Sequence, residues 1–233
     1  LNALIITGAS RGIGFATAQH FAAQGFTVFN LSRTPTRAEN IRDIALDLGA
    51  DNWQQDIISE LLPALQGATR IVLVHNAAAN IHDSLRDFSD VNFRYTLEVN
   101  VVAPAQLSHM LLPQMRAGSS IIYIGSTLGE MAVPNSCAYV TSKHALIGLM
   151  RSTCQDLAGT GIHTACICPG FTDTEMLRAH VGDSEEILQA IAAGVTQKRL
   201  IQPEEIARTV SFCAENPVIN GAVIHANLGQ IQA

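Results

Sequence analysis

Short, almost continuously apolar runs alternate along this chain with longer segments of helical spacing, and that alternation restricts the fold more than any single motif. LIIT is followed by GFATAQHFAAQ, TVFNLS by a helical pattern near Ala38 to Asp47, and RIVLVH by one through Phe93 to Met115. SIIYIG precedes AYVTSKHALIGLMRSTCQDLA, IHTACICP precedes a polar stretch, and PEEIARTVSFCAEN precedes GAVIHAN. Strands apolar on both faces and separated by helices belong to a parallel sheet covered on each side. With 233 residues, 48% of them hydrophobic and 15% charged, the chain can bury one large core, and a single α/β domain is the expectation. The long irregular region from Thr172 to Gln202, with its own short helical pattern SEEILQAIAA, reads as a lid or binding loop.

Several classes of function fall away. No apolar run approaches the eighteen or so residues of a membrane span, and the chain enters a strand-like segment at once (LNALIIT), so a cytoplasmic protein is expected. Fourteen Lys and Arg against twenty Asp and Glu leave a formal charge of −6, which argues against nucleic acid as a partner. The five cysteines form no CxxC pair, and Cys166 and Cys168 flank one residue of a strand and so face one side. Packed, reduced thiols and no metal site are expected.

The first strand runs into TGASRGIG, with Gly8, Gly12 and Gly14, and then into a helix. In that context the glycines let backbone approach a pyrophosphate whose charge sits on the unpaired N–H groups of the helix start, so the turn predicts a dinucleotide. The second strand ends in Ser32 and Arg33 rather than in the acidic residue that would accept from the ribose hydroxyls of NAD. Serine and a guanidinium can bind a 2′-phosphate, and Arg11 in the glycine turn adds a second cation, so NADP is favoured.

In YVTSK, Tyr139 and Lys143 stand four apart on one helix face, their Cβ atoms about 5 to 6 Å apart. Ser126 follows the strand SIIYIG, thirteen residues before Tyr139, at a carboxyl end where open parallel sheets bind ligands, and Asn100 lies on the preceding helix in LEVN. Together with TGASRGIG at 7 to 14, Asp56 after the third strand, HNAA at 75 to 78 and PGFTDTEM at 169 to 176, these motifs resemble the short-chain dehydrogenase/reductase family over nearly the whole length. The likeness is to its short single-domain branch, and in particular to members of the 3-oxoacyl-[acyl carrier protein] reductase type. The chain departs from the family pattern at Ala78, where a glycine is usual, and in GAVIHANLGQ, which lacks the usual acidic and double-glycine ending.

The resemblance implies a Rossmann-type, doubly wound parallel sheet of seven strands in the order 3-2-1-4-5-6-7. It implies a catalytic tetrad of Asn100, Ser126, Tyr139 and Lys143. NADP would be held by Gly8, Ser10, Arg11, Gly12, Ile13 and Gly14, by Ser32 and Arg33, and by Asp56 near the adenine. Asn76, Ala77, Ala78, Tyr139, Lys143, Pro169, Gly170 and Thr172 would complete the cofactor contacts. Hydride transfer between NADPH and a carbonyl or alcohol puts charge on oxygen. Tyr139 would exchange the proton, its pKa of about 10 lowered by Lys143, while Ser126 holds the substrate oxygen and Asn100 holds a water.

A 3-oxoacyl-[acyl carrier protein] reductase and a non-catalytic NADP-binding regulatory protein are the alternatives. A homo-oligomer, tetramer or dimer, is expected through the helices around Phe93 to Met115 and Ala138 to Ala158, with Leu146, Leu149 and Met150 as apolar contacts, and through the C-terminal strand. The substrate is expected to be a small free carbonyl compound beneath the Thr172–Gln202 loop, near Phe171, Met176 and Leu177. The turns AGSS (117 to 120) and AGTG (158 to 161), with only Arg116 and Arg151 close by, are poor in the cations that would dock an acidic carrier.

Overall fold

A computed structural model describes residues 1–182 and 184–230. Seven strands form one parallel sheet: β1 (Asn2–Thr7), β2 (Thr27–Ser32), β3 (Ile41–Ala45), β4 (Arg70–His75), β5 (Ser120–Ile124), β6 (His163–Pro169) and β7 (Ala222–Ala226), in the order β3-β2-β1-β4-β5-β6-β7. The order reverses between β1 and β4, so chain leaves these two strands in opposite directions and opens a crevice at their carboxyl ends. Alternate residues feed two apolar layers. Ile5, Leu31, Leu73, Ile121 and Cys166 face one side, and Leu4, Ile6, Val28, Val74, Ile122 and Ile167 face the other.

The first layer is covered by α2 (residues 54–64), α3 (residues 90–111) and α4 (Cys137–Asp156), the second by α1 (Gly12–Ala23) and α7 (Pro203–Glu215). In α2 and α3 the helix widens through π-helical turns at Ile57–Leu61 and Glu98–Val102. The excursion after β6 carries α5 (Glu175–Val181) and α6 (Glu185–Ala193), and its ends are stitched together where Asp173 N donates to the Ile201 carbonyl at 2.8 Å and Ile201 N to that of Phe171 at 2.9 Å. Among the described residues no helix is long and apolar enough to cross a membrane.

Two expectations need correction. The helix expected near Ala38 to Asp47 is instead the edge strand β3. Ile41 and Ile44, three apart, would share a helix face, but in the strand they face opposite layers, and both are buried. Spacing alone could not separate the two, and the partner along β2 decides it: Val28 pairs with Ile41 and Asn30 with Asp43. Leu146 and Met150 lie in the chain's own core, and Leu149 packs against it, so they offer little to another subunit. Exposed apolar side chains are found at Val102 on α3 and Leu112 just after it, at Leu85, Phe88 and Val91 before and at the start of α3, and at Phe212 and Val218.

Candidate active site

The crevice is built from the glycine turn upward. Gly8 and Gly12 take φ of +69° and +55°, a conformation only glycine adopts freely. A side chain at Gly14 would collide with the Gly8 carbonyl and the Asn76 carboxamide. Asn76 clamps β4 to β1. Its side-chain nitrogen donates to the carbonyls of Thr7 (3.0 Å) and Gly8 (2.9 Å), while Thr7 Oγ1 accepts the N–H groups of Asn76 and Ala77, both at 3.0 Å. Ser10, Ile13 and Ala78 lie half-buried in the same turn region. Helix α1 has no side-chain cap and no acidic residue in its first turn, so its leading N–H groups face the crevice without an internal anion. Those features fit a dinucleotide pyrophosphate.

The cations at this end are arranged differently from the expectation. Arg11 is held by Glu175 of α5 at 2.6 Å, both side chains exposed. Arg33 is exposed and, among the described residues, makes no ion pair. Ser32 Oγ donates to the Thr34 carbonyl (2.6 Å) and accepts from Asn30 Nδ2 (2.8 Å). Asp56 sits on α2, eleven positions past the end of β3, and the acidic residue at the strand's own exit is Asp47, whose carboxylate accepts from Gly49 N at 2.9 Å. At the far side, Pro169 ends β6, Gly170 N donates to the Ala226 carbonyl at 3.1 Å, and buried Thr172 donates to the Gly170 carbonyl at 3.2 Å.

Ser126, Tyr139 and Lys143 lie near the carboxyl end of β5, and Asn100 is tied to the Tyr139 backbone through Ser142. Ser126 follows the strand and accepts Leu128 N at 3.1 Å. Helix α4 begins beside it, and its N-terminus is capped from a distance: the carboxylate of buried Asp83 accepts Ala138 N at 3.1 and 3.0 Å, one residue before Tyr139. The π-helical turn at Glu98–Val102 carries Asn100 into the interior, where it accepts Ala79 N (2.7 Å) and donates to the Ala79 carbonyl and Ser142 Oγ, both at 2.9 Å. Ser142 in turn donates to the Tyr139 carbonyl at 2.7 Å. The carboxamide of Asn100 thus ties the β4 exit to the backbone of the tyrosine.

Lys143 is buried, donates from Nζ to the Ile124 carbonyl at 2.8 Å, and lies 5.5 Å from the centre of the Tyr139 ring. Burial pushes its pKa down to about 8, opposed by the neighbouring thiols of Cys166 and Cys168, whose sulfurs are 4.0 Å apart. Burial pushes Tyr139 up to about 12, against the hydrogen bond from Ser126. The expected lowering of the phenol is not found here: burial, the largest cause, raises it, and the lysine ammonium is turned to the Ile124 carbonyl. A phenol held protonated is a proton donor at neutral pH.

Three contacts had no sequence signal: the Asp83 cap, the Ile124 carbonyl under Lys143, and the ring contact of His82 after β4 with His180 on α5, ring centres 5.9 Å apart. Each joins residues far apart in the chain. The acidic exit of β3 was within reach, since Asp47 directly follows the Ile44-Ala45-Leu46 run.

Comparison with known proteins gives this arrangement a family. Residues 8–230 match the family described as enoyl-(acyl carrier protein) reductase. A 3-oxoacyl-[acyl-carrier-protein] reductase from Salmonella typhimurium is 33% identical over 241 residues, spanning 97% of this chain and 95% of that relative. A short chain dehydrogenase family protein from Francisella tularensis has a similar solved structure (TM-score 0.85, 29% identity, 97% of each chain covered). So does ElxO with NADP bound (TM-score 0.83, 25% identity, 97% of each chain covered). The chain belongs to the short-chain dehydrogenase/reductase family of nicotinamide-dependent oxidoreductases.

Proposed function

We propose that the protein is an NADPH-dependent carbonyl reductase, also able to run as an alcohol dehydrogenase, with Asn100, Ser126, Tyr139 and Lys143 at its centre. The observation that carries this reading is the Tyr139 ring, its centre 5.5 Å from the buried Lys143 ammonium that is anchored on the Ile124 carbonyl at the carboxyl end of β5, just before Ser126. Bound in the crevice, a reduced nicotinamide supplies the hydride. Ser126 orients the carbonyl oxygen, and the protonated phenol of Tyr139 gives that oxygen its proton. Lys143 places a positive charge beneath the tyrosine, and Asn100 fixes the helix that carries both. The loop at 172–202, with Phe171, Met176 and Leu177 near its start, shields the substrate side from water. Turnover in a screen of ketones, 3-oxoacyl thioesters, quinones and sugars, followed by loss of NADPH absorbance, tests the reading. No turnover with any carbonyl class would contradict it.

The cofactor preference follows from the β2 exit, where Ser32 and exposed Arg33 replace a carboxylate. Arg33→Asp exchanges a charge-assisted contact for repulsion, and NADPH binding is expected to weaken by about ten- to a hundredfold with NADH nearly unchanged. Equal affinity of the parent protein for both cofactors, measured by fluorescence titration, would remove the NADP assignment.

The relative from Salmonella typhimurium favours a second reading, reduction of a 3-oxoacyl group on its carrier protein. The turns at 117–120 and 158–161 precede β5 and β6 and meet each other, Gly118 N donating to the Gly161 carbonyl at 2.9 Å. They therefore lie at the amino end of the sheet, opposite Ser126 and Tyr139, and do not border this chain's own site. A large preference for carrier-bound over free thioester, lost at high salt, would establish this reading in place of the first.

A further inference from the structure

Strand β3 carries a carboxylate that none of the chemistry above uses. Asp43 lies opposite Asn30 in the register of β2 and β3. Asn30 Nδ2 donates to Asp43 Oδ1 at 2.7 Å and to Ser32 Oγ at 2.8 Å, so one nitrogen bridges the carboxylate and the hydroxyl at the β2 exit. Those two oxygens can be no farther apart than the bonds laid end to end, about 5.5 Å. Asn30 Oδ1 also accepts Ala9 N at 2.8 Å, which joins the same group to the glycine turn. The remaining contacts of the carboxylate are neutral: Thr36 N at 3.0 and 3.1 Å and Thr36 Oγ1 at 3.1 Å. Among the described residues Asp43 has no cationic partner, and it is exposed.

An acidic side chain at the end of β2 is the usual obstacle to a 2′-phosphate. Here that position holds Ser32, but a negative charge has returned from the next strand to within reach of the same spot. We propose that Asp43 is a specificity-determining residue of the dinucleotide site, its charge opposing the 2′-phosphate that Arg33 attracts and holding the preference for NADPH over NADH to a modest ratio. The inference rests on the proposed binding of a dinucleotide at the β2 exit. Specificity is a difference between two affinities, so one repulsive charge changes the ratio without touching the reacting atoms.

The test is a fluorescence titration of the full chain with NADPH and with NADH, at low and at high salt. Asp43→Asn keeps an oxygen to accept from Thr36 and removes the charge. It is expected to tighten NADPH by about tenfold at low salt, the size of a few-ångström charge repulsion in a wet site, with NADH changed less than about twofold. Salt should shrink the gain, because a shorter Debye length screens an exposed charge. Thr36→Val removes one of the carboxylate's hydrogen bonds and leaves its charge, and should leave the ratio of affinities unchanged. If Asp43→Asn moved both cofactors together, or if Thr36→Val reproduced its effect, Asp43 would be a prop for the loop and the inference would be overturned. Absence of binding of either cofactor to the parent protein would overturn the dinucleotide reading itself, a different and separable result.

Discussion

Tyr139→Phe is expected to lower reductive turnover by about a thousandfold or more while leaving NADPH affinity within a few-fold of the parent. Only the phenolic oxygen is lost, and with it the acid that protonates the substrate oxygen; positioned general acids contribute about 10²–10⁴. The ring stays where it is, because helix α4 is held by the Asp83 cap and by the Asn100–Ser142 link to the Tyr139 carbonyl. Steady-state rates on an identified carbonyl substrate, paired with a cofactor titration, separate the two quantities. A phenylalanine variant with most of its activity intact would show that the proton comes from elsewhere.

Lys143→Met is expected to lose both activity, by about a hundredfold or more, and cofactor affinity, yet to melt no lower than the parent at pH 7. The lysine's pKa is pushed down to about 8 by burial, which at neutral pH corresponds to about 3 kcal/mol spent on keeping the ammonium in the interior. Methionine removes that cost and leaves the Ile124 carbonyl short of one donor, a loss of about 1–3 kcal/mol, so the two nearly cancel. The sign of the linkage is fixed by the lowered value. Between about pH 8 and the ordinary lysine value the unfolded chain binds more protons than the native one, so the parent gains stability as pH rises through that window and the variant does not. Reductive activity should move in the opposite direction, falling above about pH 8 as the ammonium is lost while Tyr139, near 12, stays protonated. A parent profile flat to pH 10 would separate the lysine's charge from catalysis.

The fold was legible where periodicity had one meaning. The six strands read from apolar runs are present, the glycine turn follows β1, Ser126 follows β5, and YVTSK lies on a helix as its spacing indicated. It failed at β3, where Ile41 and Ile44 satisfy a helix face and the two faces of an edge strand equally well, and the choice rests on pairing with Val28 and Asn30 across the sheet. Asp56 accordingly lies on α2 and not directly at the exit of β3, which ends at Ala45. The charge state of Tyr139 was beyond reach for a different reason. Four-residue spacing places a lysine near a phenol, but the balance between that cation and desolvation depends on how deeply both are buried and on the carbonyl that captures the ammonium. Asp43 belongs with these, since its nearness to Ser32 exists only once β3 is paired to β2.

The most direct test of hydride transfer at this site is to follow the hydrogen itself. The parent protein is given NADPH deuterated at the transferring position together with the carbonyl compound it reduces fastest, and the alcohol is examined by mass spectrometry. Expected is one deuterium on the carbinol carbon per NADPH consumed, with none formed by Tyr139→Phe over the same interval. NADPH binding without labelled alcohol from any carbonyl class would contradict catalysis and favour a protein that binds the dinucleotide to another end.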